Sequence, residues 1–266
     1  MPGNLSYATS MDLSPLQLSA AICAGVLAGV INTLAGSGSL ITLPMLMFLG
    51  LPATVANGTN RIGAFFQSLV GILTYWRSGT VQWRGQIWQY VLPAVFGSLF
   101  GAWLASQLTD QSMRLVIGIV MVSMLGVILI KPKRWLKRDS SIAVGRPAAW
   151  VSLLFVAVGF YGGFIQAGVG ILLLASLVVA AGFNLKEANF IKLLCVFGFN
   201  LCTIWIFLVN GQIHWELGLI MAVGQCLGAW LAARFATRYE HADVWIRRLL
   251  IVIVLLSIAK VFGLLG

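Results

Sequence analysis

Arg61 lies just inside an apolar stretch, at the end of the run "ATVANGTNR". An arginine in such a place is expensive and usually faces a cavity or a partner. Its guanidinium can grip an oxyanion through two parallel N–H bonds, or the side chain can snorkel to the interface. Asn57, Thr59 and Asn60 stand in the same run, where amides and hydroxyls either donate to an anion or bridge helices. An offset of 132 residues carries Asn57 to Asn189, Asn60 to Lys192 and Ser68 to Asn200. Lys192 enters about a turn inside its segment, and for it snorkelling is the better account. Gln67 and Gln166 are further amides of the same kind.

A second group is made of glycines. The stretch "LAGSGSLITLP" at 34–44 places Gly36, Ser37, Gly38 and Ser39 within otherwise apolar sequence, and Gly168 and Gly170 of "QAGVG" occupy the matching place. A soluble protein would use such a loop to cradle phosphate. In lipid, unwound backbone is tolerated only where it lines a cavity or is buried in protein. Helix starts after these breaks, at residues 39 and 170, would turn positive dipole ends toward a bound solute and favour an anion. Small residues that merely allow close helix packing are the competing explanation.

The elements that must position these residues are apolar. Hydrophobic residues make up 60% of the 266 and charged residues 9%, and runs of roughly 20 apolar residues recur, the length that spans a bilayer. The expected fold is an all-α polytopic membrane protein. A net charge of +10 would suit nucleic acid, but the basic residues gather in short loops, most densely in "KPKRWLKR" at 131–138. That is the positive-inside pattern, so the expected partners are the bilayer and a small solute, not nucleic acid. Cys23, Cys195, Cys202 and Cys226 all fall in apolar segments without the spacing of a zinc site or a disulfide framework, so no metal or cofactor is expected. The N-terminus lacks a basic region ahead of a short apolar core and does not read as a cleaved signal.

The chain is a tandem duplication. The offset of 132 also carries Gly50 to Gly182, Gly79 to Gly211 and Trp83 to Trp215, and after a five-residue contraction "GAWLA" at 101–105 returns at 228–232. Each copy holds five apolar segments, 18–34, 39–50, 57–76, 86–107 and 112–130, then 149–166, 170–181, 187–209, 215–234 and 244–264. The second of each set is too short to span, so each repeat begins with a glycine-broken pair. The expected organisation is an outward tail at 1–17, a first repeat at 18–130, a basic cytoplasmic linker at 131–148 and a second repeat at 149–266. An inverted arrangement puts the loop with Arg77 and Arg84 and the loop with Arg234, Arg238, Arg247 and Arg248 in the cytoplasm. The loops at 108–111 and 210–214, without Lys or Arg, then face outward, whereas parallel repeats would expose four arginines.

On "LAGSGSLITLPMLMFLGLPATVANGTNRIGAFFQSLVG", the weaker copy "IQAGVGILLLASLVVAAGFNLKEANFIKL" and the five-segment duplication, the chain resembles the sulfite exporter (TauE/SafE) family of membrane transporters, from about Leu18 to Leu265. The resemblance implies transport of sulfur-containing anions such as sulfite, sulfoacetate or related organosulfonates, out of the cytoplasm. The second copy has "NFIKL" where the first has "GTNRI", so the two halves need not contribute equally to a site. The expected carrier works by alternating access, with a passive anion channel, or a carrier of another small anion, as the alternative.

Enzyme chemistry is disfavoured. A serine in "GSGS" would need a base, and the two histidines, His214 and His241, both lie near loops. No carboxylate sits deep in an apolar run; Glu187, Glu216 and His214 are the nearest approach to a proton relay. An inside-negative potential favours exit of a monovalent anion by about 2.3 kcal/mol per 100 mV without any coupling ion.

Overall fold

The computed structural model describes residues 14–77, 79, 85–129 and 148–235. The expected linker at 131–147, the tail before Ser14 and the tenth segment at 244–264 lie outside the described residues. Those described are helical: α1 (Pro15–Ala35), α2 (Ser39–Phe48), α3 (Ala53–Arg77), α4 (Trp88–Ser106), α5 (Asp110–Leu129), α6 (Ala149–Phe164), α7 (Val169–Ala175), α8 (Leu185–Val209) and α9 (Trp215–Phe235). α7 continues as a π-helical stretch over Ser176–Ala180. Four helices, containing 15–33, 110–127, 186–209 and 215–232, are long and apolar enough to cross a membrane. α3 has the length, but the polar run from Asn57 to Arg61 lowers its apolarity, and every residue of that run is buried.

Local signals set the ends. Pro15 occupies the first turn of α1, and the Ser14 hydroxyl accepts from the Gln17 N–H while the Gln17 side chain accepts from the Ser14 N–H at 2.9 Å. The helix starts at residue 15 rather than 18 because of this cap. α1 closes on Gly36, whose φ of 75° only glycine adopts cheaply. Asn184 caps α8 by accepting from the Glu187 N–H at 2.9 Å. On α3, the Thr54 N–H finds the Asp110 carboxylate of α5 at 3.2 Å.

The repeat is written into the backbone. The left-handed glycines fall in pairs 132 residues apart, Gly36 with Gly168, Gly50 with Gly182 and Gly79 with Gly211, and α3 maps residue for residue onto α8. Packing follows the same equivalence, crosswise: α4 packs along α6, and α1 along α9. Both seams are built on glycine. A Cβ on Gly97, Gly101, Gly159 or Gly163 would overlap backbone across the α4–α6 seam, and one on Gly25, Gly29, Gly224 or Gly228 would do so across α1–α9. Without a hydrophobic drive between helices in lipid, such close backbone approach is what holds them together.

α3 and α8 cross at the centre. Gly58 meets Phe207, Arg61 meets Thr203, Phe65 stacks on Phe197 and Gly71 meets Leu193, so partner numbers fall along α8 as they rise along α3. The two helices therefore run antiparallel. Phe65 and Phe197 are themselves repeat-equivalent, with ring centroids 4.9 Å apart; the pseudo-twofold relating the two helices passes through that stack.

Candidate functional site

The ends of α1 and α6 are where backbone carbonyls run out of helical partners. α6 stops at Phe164, and its last carbonyls are taken by side chains of α3. Arg61 donates to Gly162 O at 3.3 Å, Gly163 O at 2.5 Å and the Thr203 hydroxyl at 3.1 Å, and Asn57 donates to Phe164 O at 2.9 Å. The guanidinium also lies 4.5 Å from the centre of the Phe207 ring. Its position suits a cation, since a helix C-terminus carries the negative end of the dipole. Arg61 is fully buried, so it does not snorkel, and its Nε has no partner.

Lys192 performs the mirror task from the other repeat. Its ammonium donates to Asn32 O in the last turn of α1 at 3.1 Å and to the Asn189 side chain at 2.9 Å. Asn32 is the repeat-equivalent of Phe164, so each repeat sends a cation and an asparagine to the broken helix of the other. Snorkelling, the sequence expectation for Lys192, does not occur: the residue is 1% exposed. The bilayer interface is too far to reach when a neighbouring helix end supplies oxygen closer by. Among the described residues no carboxylate lies within ion-pair distance of either cation.

Between them runs a chain of neutral groups. The Thr42 hydroxyl donates to the Asn60 side-chain oxygen, Asn60 to Gln166 at 3.2 Å, Gln166 to Asn200 at 3.1 Å, and Asn200 to Val196 O at 2.8 Å. All four side chains are buried. The chain passes from α2 and α3 of the first repeat to the break and α8 of the second. The glycine breaks meet here as well: a Cβ on Gly36 would overlap the backbone of Gly170, and the reverse holds for Gly170. Ser37 is fully buried with its hydroxyl unpartnered, and Ser39, also buried, begins α2.

Three expected residues are placed differently. Gly38 presses on Ala28 O and the Asn32 side chain, Gly168 faces the Met124 sulfur, and Thr59 accepts from the His214 N–H at 2.9 Å on the α9 side of α3. These contacts are packing and capping. Thr42, Asn32, Thr203, Phe207 and Gln225 were not singled out from the sequence, although a lone polar residue inside an apolar run marks Asn32 and Gln225. Cys23 is exposed, unlike the buried Cys195.

A family model described as sulfite exporter TauE/SafE matches residues 21–261. The chain belongs to this family. A Haemophilus influenzae relative named "Probable membrane transporter protein" is 31% identical over 228 residues, 84% of this chain and 87% of its own. "Probable membrane transporter protein YfcA" of Escherichia coli is 30% identical over 222 residues, 84% of this chain and 81% of that one. A similarly named Sinorhizobium protein is 29% identical over 226 residues, 85% of each chain. The protein is thus a membrane transporter of the TauE/SafE family, and family and relatives alike are those of a transporter rather than an enzyme.

Proposed function

We propose that the protein carries a small sulfur-containing anion, sulfite, sulfoacetate or a related organosulfonate, out of the cytoplasm across the inner membrane by alternating access. The observation that carries the reading is Arg61: a fully buried guanidinium with no carboxylate within reach among the described residues, at the meeting of the two repeats. A buried cation is costly unless paired, and the solute anion is the natural partner. Neutral acceptors and the Phe207 face hold the charge meanwhile. Asn60, Gln166 and Ser37 supply neutral donors beside it, and the helix starts at Ser39 and Val169 add their dipole ends. Antiparallel α3 and α8, equivalent by sequence, support two inverted repeats of five segments each, with the linker at 131–148 cytoplasmic and both termini outside. Rocking one repeat against the other would part the Asn60–Gln166 bond, which joins them.

The test is efflux of labelled sulfite and, separately, sulfoacetate from proteoliposomes of purified protein at a defined potential, against empty liposomes. Saturable efflux with counterflow is expected. Unsaturable flux would make the protein a channel, and no flux of either anion by folded protein would remove the sulfur-anion reading.

A further inference from the structure

We infer that the Lys192 side of the crossing is a second anion station, separate from the one at Arg61, on which the transported anion rests before or after it. The inference stands on the anion-carrier reading above and adds a place to it. Arg61 lies four residues to one side of the Phe65–Phe197 stack and Lys192 five residues to the other, so the two levels are about 14 Å apart along the antiparallel pair. Their head groups are tied to different helix ends, Gly162 and Gly163 for one and Asn32 for the other. One small oxyanion cannot hold both in this conformation.

The Lys192 side has the makings of a site of its own. Its ammonium is buried and faces two neutral oxygens only. Next to it the Asn32 amide donates to Gln67 at 3.0 Å, and Gln67 reaches back to Gly29 O at 3.4 Å, a long bond. Gln225 completes the cluster from α9: it is 3% exposed, and its Nε2 has no partner. That amide occupies the space where Gly63 lacks a side chain, one turn before Gln67 on α3. A buried N–H left without an acceptor is costly, and an anion held by Lys192 would accept it. Two stations of moderate strength also suit transport, in which binding must be firm enough to enter and weak enough to leave.

The experiment is equilibrium binding of sulfite to the purified full-length protein by titration calorimetry, with sulfoacetate as a second probe, on wild type and three variants. Arg61→Gln and Lys192→Gln each keep an N–H for the helix-end carbonyl while deleting the charge; Gln225→Leu keeps the volume and breaks no bond present in the structure. Thermal melting confirms that each is folded. Two sites are expected in wild type, one in Arg61→Gln and one in Lys192→Gln, with the Lys192 site about tenfold weaker in Gln225→Leu. A single site that Arg61→Gln removes and that Lys192→Gln and Gln225→Leu leave intact would overturn the second station alone. Absence of binding of either probe to folded wild type would overturn the sulfur-anion reading and the station with it. Should Lys192→Gln fail to fold, Gln225→Leu decides: unchanged binding of both anions overturns the proposal.

Discussion

Arg61 is both a binding candidate and a structural cap, and the two roles separate by substitution. Arg61→Ala strips three bonds from the end of α6, leaving buried carbonyls unpaired at about 1–3 kcal/mol each, partly offset by removing a buried charge. Loss of anion flux in that variant would therefore mix two causes. Arg61→Gln, with its donor kept, should melt within a few degrees of wild type yet lose at least about tenfold in sulfite efflux, the size of one lost charge-assisted hydrogen bond; flux equal to wild type would remove Arg61 from the mechanism. Thr59→Val is a contrasting case. Its hydroxyl meets the His214 N–H, so its loss should cost about 1 kcal/mol of stability, read by thermal melting in detergent. The polar residues themselves were legible in the sequence, because Asn57, Asn60, Arg61 and Lys192 interrupt apolar runs. What they bind was not, since the carbonyls they cap lie on helices of the opposite repeat, over 100 residues away.

Among the elements, the short broken pairs were the clearest sequence feature, and their ends moved little. α2 runs 39–48 against an expected 39–50 and α7 begins at 169 against 170. The π-helical stretch after α7 was not foreseen, since no residue type in "SLVVA" announces a widened turn. Nor was the crosswise pairing of α1 with α9 and α4 with α6: glycines at 25, 29, 97, 101, 159, 163, 224 and 228 mark close approach but not the partner. Gly159→Leu would drive a side chain into the Ala94 backbone and should abolish the native melting transition or lower it by well over 10 °C. Gly126 on α5 meets nothing within 4 Å. Gly126→Ala should leave the melting temperature nearly unchanged, because helices persist in the unfolded state in lipid and no propensity gain is realised on folding. If both variants melt alike, glycine contact is not what joins the repeats.

At the scale of the whole molecule the duplication was readable from matched residues, and its sense from the placement of arginines. The linker and tenth segment that carry much of that charge argument lie outside the described residues, so the antiparallel crossing of α3 and α8 is an independent support for inversion. The two arguments make one prediction that parallel repeats do not share. Arg77 at the end of α3 and Asn210 just beyond α8 are exposed and stand at nearly equivalent repeat positions. In a chain whose four cysteines are replaced by alanine, single cysteines at these two positions should react with an impermeant thiol reagent from opposite sides of the membrane, Arg77→Cys from the cytoplasm and Asn210→Cys from outside. Parallel repeats would label both from one side. Inversion with the opposite orientation would exchange the two results, keeping the architecture but reversing the side from which Lys192 is approached, and with it the order in which an outgoing anion meets Lys192 and Arg61.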